Sequence, residues 1–279
     1  MQPLNETIRI PVARPFRFVN AALLELLRRL GPDDWSRPTV HPDRDVKDLA
    51  AHLLHGSIRR VSTIRDGYRP PLPRLETFEE IVAFIQRDNR EFITAMRRVS
   101  PQILVELIAL YDGELLPLLE GLDPRKPGLG VVWAGELVSQ SWFDVAREYT
   151  EKWHHQQQLR DATGHPPLYE PALLAPVLET FARGLPHAYR DLGRPAGTRI
   201  AISITGPVQL GWTLERQADR WSLWSGTDSR VATLITLSAD DAWRLWTRGL
   251  APEMARPRVC IEGDPADLEP LLRFVAIMA

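Results

Sequence analysis

Apolar side chains recur at helical spacing from the beginning of the chain. Phe18, Ala21, Leu24, Leu26, Leu27 and Leu30 recur at helical spacing over residues 16–30, and Gly31-Pro32 closes the run, which predicts a helix. The same period predicts helices over about 45–65, 77–99, 101–122 and 142–163. Each is bounded by residues that cannot continue a helix: Pro70-Pro71, Ser100-Pro101, Pro124 with Gly128 and Gly130, and Gly164 with Pro166-Pro167. The first 165 residues therefore read as wholly helical.

A sixth helix is expected over 171–192, followed by the punctuated segment Gly193-Arg194-Pro195-Ala196-Gly197. Beyond it the period drops to two. Ile200, Ile202 and Ile204 alternate with Ala201, Ser203 and Thr205, and Leu210, Trp212 and Leu214 repeat the alternation, as half-buried strands do. Residues 221–224 and 231–237 add further strands. Ser238, with Asp241 three residues on, is suited to cap a helix through Trp243 and Trp246. A last strand at 258–262 and a closing helix from about 265 complete the pattern. The expected architecture is an α bundle at 1–165, a connecting helix and linker at 166–197, and a small mixed α+β domain at 198–279.

Composition narrows the function. With 25% charged residues, 44% hydrophobic residues and a net charge of -2, the chain has the balance of an ordinary soluble globular protein. Its arginines are interleaved with Asp and Glu rather than gathered into a basic stripe, which argues against nucleic acid as a partner. The N-terminal Met1-Gln2-Pro3-Leu4-Asn5-Glu6 has no charged-then-apolar leader pattern, and no apolar run approaches membrane-spanning length. A cytoplasmic protein without membrane partners is expected. The single cysteine, Cys260, excludes an internal disulfide and a cysteine zinc cluster. In the apolar context Val259-Cys260-Ile261 it is expected to be a small buried hydrophobe rather than a nucleophile. The nine tryptophans are expected in the core, with Trp133 and Trp153 the best placed to wall a pocket.

Candidate chemistry is concentrated in Glu151-Lys152-Trp153-His154-His155. Glu151 and His155, four apart on a helix, face the same way and can share an ion, while His154 competes for the same role at a spacing of three. A carboxylate and a neutral imidazole suit a divalent cation such as zinc, and a catalytic site needs a third protein ligand and an open position. His52, on the second helix, can supply that third ligand in a bundle core. His55, one turn later, is expected outside the ligand set or facing solvent; His41, His165 and His187 fall in loop or surface contexts and read as incidental. Gln158 and Arg160 are candidates to orient a substrate carboxylate, as is Arg248 in Trp246-Thr247-Arg248-Gly249. The sequence contains neither a glycine-rich phosphate loop nor a nucleophile elbow.

Two stretches together carry a resemblance. Trp35-Ser36-Arg37-Pro38-Thr39 followed by Asp45-Val46-Lys47-Asp48-Leu49-Ala50-Ala51-His52-Leu53 resembles the N-terminal motif of the DinB-like, mycothiol-dependent maleylpyruvate isomerase family. The run from Ala146 to Ala162, containing Glu151 and His155, is similar to that family's second motif, Glu-x-x-x-His. The resemblance implies His52, Glu151 and His155 as the ligands of one divalent metal, zinc or alternatively nickel. It also implies a DinB-like up-down bundle. Ile261-Glu262-Gly263-Asp264 and the terminal helix are similar to the sterol-carrier-like domain appended to several members. One departure stands out: many members carry Asp three residues after the second histidine, where this chain has Gln158.

The family further implies a metal that activates a low-molecular-weight thiol toward an electrophilic small molecule, by transfer or isomerisation, with substrate entering where bundle and C-terminal domain meet. An open metal position equally suits a hydrolase. A non-catalytic protein binding a lipid-like ligand in its C-terminal domain is the alternative from another class. The thiol, the electrophile and the oligomeric state, a homodimer among the alternatives, are left open by the sequence.

Overall fold

The computed structural model describes residues 10–71, 73–74 and 77–276. The chain divides into two compact units, one formed by Val12–Leu122 with Glu151–Leu168, the other drawing on Asp123–Thr150 and the chain from Tyr169 onward. The expectation drawn from Met1 to Glu6 lies outside the described residues.

The first unit is a helical bundle of α1 (Ala13–Arg29), α2 (Val46–Ile64), α3 (Phe78–Met96), α4 (Pro101–Glu120) and the second half of α5 (Ser141–Thr163). Its helices begin where side chains can accept from the unpaired first amides. Asp45 accepts from the Asp48 amide at the start of α2, Thr77 and Glu80 form a reciprocal capping box on α3, and Ser100 caps α4 ahead of Pro101. Apolar stripes then meet in one core: Leu23 and Leu27 from α1, Leu49 and Leu54 from α2, Ile93 from α3, Leu104 and Ile108 from α4, and Leu159 from α5. Arg97, at the end of α3, grips the buried Asp48 carboxylate with two bonds of 2.9 and 2.6 Å, which fixes α2 one turn before His52.

The second unit contains the first half of α5 and a short hairpin of β1 (Pro127–Gly128) and β2 (Ser139–Gln140). This hairpin corrects the wholly helical reading of the first 165 residues; strands of two residues are too short to show an alternation. The predicted helix at 171–192 is also divided, into α6 (Pro171–Ala182) and α7 (Leu185–Ala188). Pro186 has no N–H to continue the helix, and a Cβ on Gly184 would lie 2.7 Å from the Phe274 ring and 2.8 Å from Trp133, so the chain turns there against aromatic neighbours.

A five-stranded sheet follows, in the order β5 (Trp221–Ser225), β4 (Leu210–Arg216), β3 (Arg199–Thr205), β6 (Thr233–Ser238), β7 (Cys260–Glu262). β3 and β6 are parallel and every other pair is antiparallel. Ser238 caps α8 (Ala239–Trp246) by accepting from the Asp241 amide, as the sequence predicts. Trp246 and Phe274 pack edge to face at 5.6 Å in the core beneath the sheet. After the short α9 (Pro252–Ala255), the closing helix is reduced to a 3-10 turn at Pro265–Leu268 and α10 (Glu269–Arg273); residues 277–279 lie outside the description.

Cys260 is exposed, which corrects its expected burial: β7 is a three-residue edge strand paired on one side only, so its outward positions meet solvent. Trp153 is fully buried and donates to the Leu168 carbonyl, while Trp133 packs against Phe143 and Phe274; both serve the core. No helix among the described residues is long and apolar enough to cross a membrane.

Candidate metal centre

From Lys152 to Leu159 every residue of α5 is buried, an enclosure a polar run tolerates only if its side chains find partners. Several do. Gln156 donates to the Val19 carbonyl, Gln157 accepts from the Leu168 amide, and Trp153 reaches the Leu168 carbonyl, so α5 is locked in rotation against α1 and the segment that follows it. That rotation points Glu151 and His155 the same way. α2 brings His52 to meet them, and one ligand atom from each of the three lies within 4.8 Å of the others.

The His155 ring is held at both nitrogens. Its Nδ1 lies 2.7 Å from Gln158 Oε1, and its Nε2 lies 3.2 Å from Glu151 Oε2. An amide oxygen only accepts, so with the amide turned this way Nδ1 carries the proton. Nε2 then presents a lone pair to a carboxylate oxygen, an arrangement that repels unless a proton or a cation sits between them. His52 packs edge-on to His155, with ring centroids 4.7 Å apart, and its Nδ1 is buried without a hydrogen-bond partner. Two imidazoles and one carboxylate with these unmet valences fit a borderline divalent cation; zinc and nickel both accept such a set.

Electrostatics favour the ligating protonation states. Burial, reinforced by neighbouring His155, holds the His52 imidazole well below its ordinary range and therefore neutral. For Glu151 burial is the largest influence and opposes ionisation. It is outweighed by the His155 hydrogen bond and by His154, His155 and His52, which keep the carboxylate far below its usual range. Yet the Glu151 side chain retains 45% exposure, against 7% for His155. Glu151 is thus the more solvent-accessible of these two side chains.

His154, the competitor for the ligand role, lies beside His155 with the rings tilted and their centroids 3.9 Å apart, and stands outside the trio. His55 is buried and turned toward α3, its Nδ1 3.1 Å from Asn89 Oδ1 and its ring stacked on Phe92. Arg160 is engaged by the carbonyls of Pro166 and Ala22 rather than by the trio. Arg248 is an exposed residue of the other unit, with φ of 60° just after α8.

His41 corrects the sequence reading. It is not incidental: its Nε2 lies 3.1 Å from Gln158 Oε1, so one amide oxygen joins two imidazoles, and the His41 ring is 5.9 Å from that of His155. Burial lowers its proton affinity, with His155 adding to the effect. Nothing in spacing signals this, because the bond spans 117 positions.

Comparison with known proteins follows this geometry. A search of curated proteins returns no match. Two crystal structures of the mycothiol-dependent maleylpyruvate isomerase, one of them a histidine-to-alanine mutant, share the fold with a TM-score of 0.52. Each covers 84% of this chain and 86% of its own at 12% identity. The family model for the mycothiol maleylpyruvate isomerase N-terminal domain matches residues 16–160, and the chain belongs to that family.

Proposed function

We propose that this chain is a divalent-metal-dependent enzyme that uses a low-molecular-weight thiol on an electrophilic small molecule, acting as an isomerase or transferase. The observation that carries the reading is the meeting of His52, Glu151 and His155 with ligand atoms within 4.8 Å, beside an imidazole already oriented by Gln158. These three residues would hold the ion. A divalent cation there supplies stabilisation of thiolate over thiol, and the thiolate is the nucleophile. Zinc is the proposed ion and nickel the alternative.

The residues around it have separable tasks. His52 offers a neutral ring because burial excludes its protonated form. Glu151, a half-buried member, contributes the negative charge. Gln158 takes the place of the carboxylate that many relatives carry: its amide oxygen still accepts the Nδ1 proton and fixes the His155 ring, without adding charge. Gln158→Leu should therefore weaken zinc binding by about 10–100-fold, measured by competition with a chromophoric chelator, with the fold unchanged by circular dichroism.

Family membership favours mycothiol as the thiol and a maleylpyruvate-like unsaturated acid as the substrate. The thiol would add to the electrophilic carbon and leave after rotation, emerging unchanged. A reducing, cytoplasmic setting suits such a co-reactant and a chain with one cysteine. The C-terminal sheet is proposed to be of the sterol-carrier-like type. Cobalt-substituted protein tests the reading: addition of mycothiol should change its visible spectrum, and maleylpyruvate should isomerise only when thiol is present. A spectrum indifferent to thiol would remove the thiol-activating role, and turnover without thiol would make the chain a different kind of enzyme.

A further inference from the structure

Arg44 lies in the loop that leads into α2, between His41 and the cap Asp45. The loop is closed by backbone pairing of Thr39 with Arg44 and by the Thr39 hydroxyl on the Arg44 carbonyl at 2.7 Å. Its side chain is only 10% exposed, an unusual place for a guanidinium. Its polar contacts are poor. Nη2 reaches Gln86 Oε1 at 3.3 Å, Nε is buried without a hydrogen-bond partner, and the nearest carboxylate, on Asp43, is 4.0 Å away and itself 60% exposed. A buried cation so weakly neutralised is costly, and proteins keep such groups paired.

The Arg44 amide donates to the His41 carbonyl at 3.2 Å, and the His41 ring lies 5.9 Å from that of His155, so the loop sets Arg44 near the candidate centre. Its charge opposes protonation of both His41 and His52. A divalent ion on two neutral imidazoles and one carboxylate retains one net positive charge, and Arg44 adds a second. Among the described residues the carboxylate paired with Arg44 is that of Asp43, 4.0 Å away and 60% exposed, which offsets this charge only weakly. An anionic ligand would balance it.

We propose that Arg44 is a substrate-binding residue that receives a carboxylate of the electrophilic substrate beside the His52, Glu151 and His155 centre. The buried Nε and the loosely held Nη2 supply the two donors that a carboxylate accepts as a fork. The inference rests on the proposed function for the location of the substrate, not for the chemistry of Arg44. It selects acids over neutral electrophiles of the same shape.

The test is calorimetric titration of maleate, with dimethyl maleate as the neutral control, into zinc-loaded and metal-free protein. Maleate should bind wild type, dimethyl maleate should not compete, and Arg44→Gln should lose about tenfold or more in affinity while zinc content stays the same. Arg44→Lys, which keeps the charge but not the fork, should fall between the two. Gln86→Ala controls for the fold, since it removes the hydrogen bond that the guanidinium makes among the described residues and should leave maleate bound. Equal maleate affinity in wild type and Arg44→Gln, or none in wild type, would overturn the proposal. An Arg44 effect seen with mercaptoacetate, relative to 2-mercaptoethanol, but not with maleate would assign the carboxylate to the thiol and overturn it as well. Protein that fails to hold zinc yet binds maleate through Arg44 would support Arg44 and remove the metal reading instead.

Discussion

His52→Ala and His155→Ala are each expected to abolish metal binding, taking the protein from about one equivalent of zinc or nickel to none when purified without chelators. The effect should exceed the about 10–100-fold loss expected of a supporting residue such as Gln158, because each variant removes one of only three protein donors. The two variants should differ in what remains. His155→Ala takes away the ring that spans Gln158 and Glu151, leaving the Gln158 amide to His41 alone. His52→Ala removes a ring whose Nδ1 has no hydrogen-bond partner, so it costs the apoprotein little polar contact. Mass-spectrometric metal content, read with the thermal midpoint of metal-free protein, separates loss of a ligand from loss of the fold. His154→Ala is the contrast: it lies outside the trio and should retain the ion. Wild-type protein that holds no metal even after reconstitution would end the catalytic reading.

What the sequence discloses about this fold follows from the range of the forces involved. α2 and α4 begin where Asp45 and Ser100-Pro101 stand because capping is settled within a turn, and the sequence reports it directly. The break between α6 and α7 is mixed: Gly184-Leu185-Pro186 carries a local breaker, while the packing of Gly184 against Phe274, ninety positions away in the chain, is not legible in the sequence. The same division holds at the candidate centre. Glu151 and His155 share a face through helical spacing alone and His52 was reachable as a histidine on a facing helix of the bundle, whereas spacing could not choose between His154 and His155, and that preference rested on the family resemblance. His41 and Arg44 escaped because both sit in an irregular loop. Their place near the centre depends on how that loop closes and on Gln158 reaching back from α5. Cys260 was misread because an apolar neighbourhood in sequence says nothing about which sheet edge a short strand occupies.

Lys152→Met is expected to be the most destabilising single change in the bundle. Lys152 Nζ lies 2.7 Å from Asp112 Oδ1 and 3.2 Å from Ser57 Oγ, and the Ser57 hydroxyl donates to the same carboxylate oxygen at 2.6 Å. The charged side chains are 5% and 3% exposed, so the three residues tie α5, α4 and α2 together out of reach of water. Removing the lysine strands the Asp112 carboxylate, whose Oδ2 already lacks a partner, and should cost about 3–5 kcal/mol. That corresponds to a fall of about 6–20 °C in thermal midpoint for a domain of this size. The double variant Lys152→Met, Asp112→Leu should recover most of the loss, since well-packed apolar groups replace buried ion pairs at little or no cost. Stability alone therefore does not account for the pair. Lys152 directly follows Glu151, so the bond to Asp112 sets the rotation of α5 that turns Glu151 and His155 toward His52. The double variant should accordingly melt near wild type but bind zinc more weakly; recovery of both properties together would show that packing alone orients the helix.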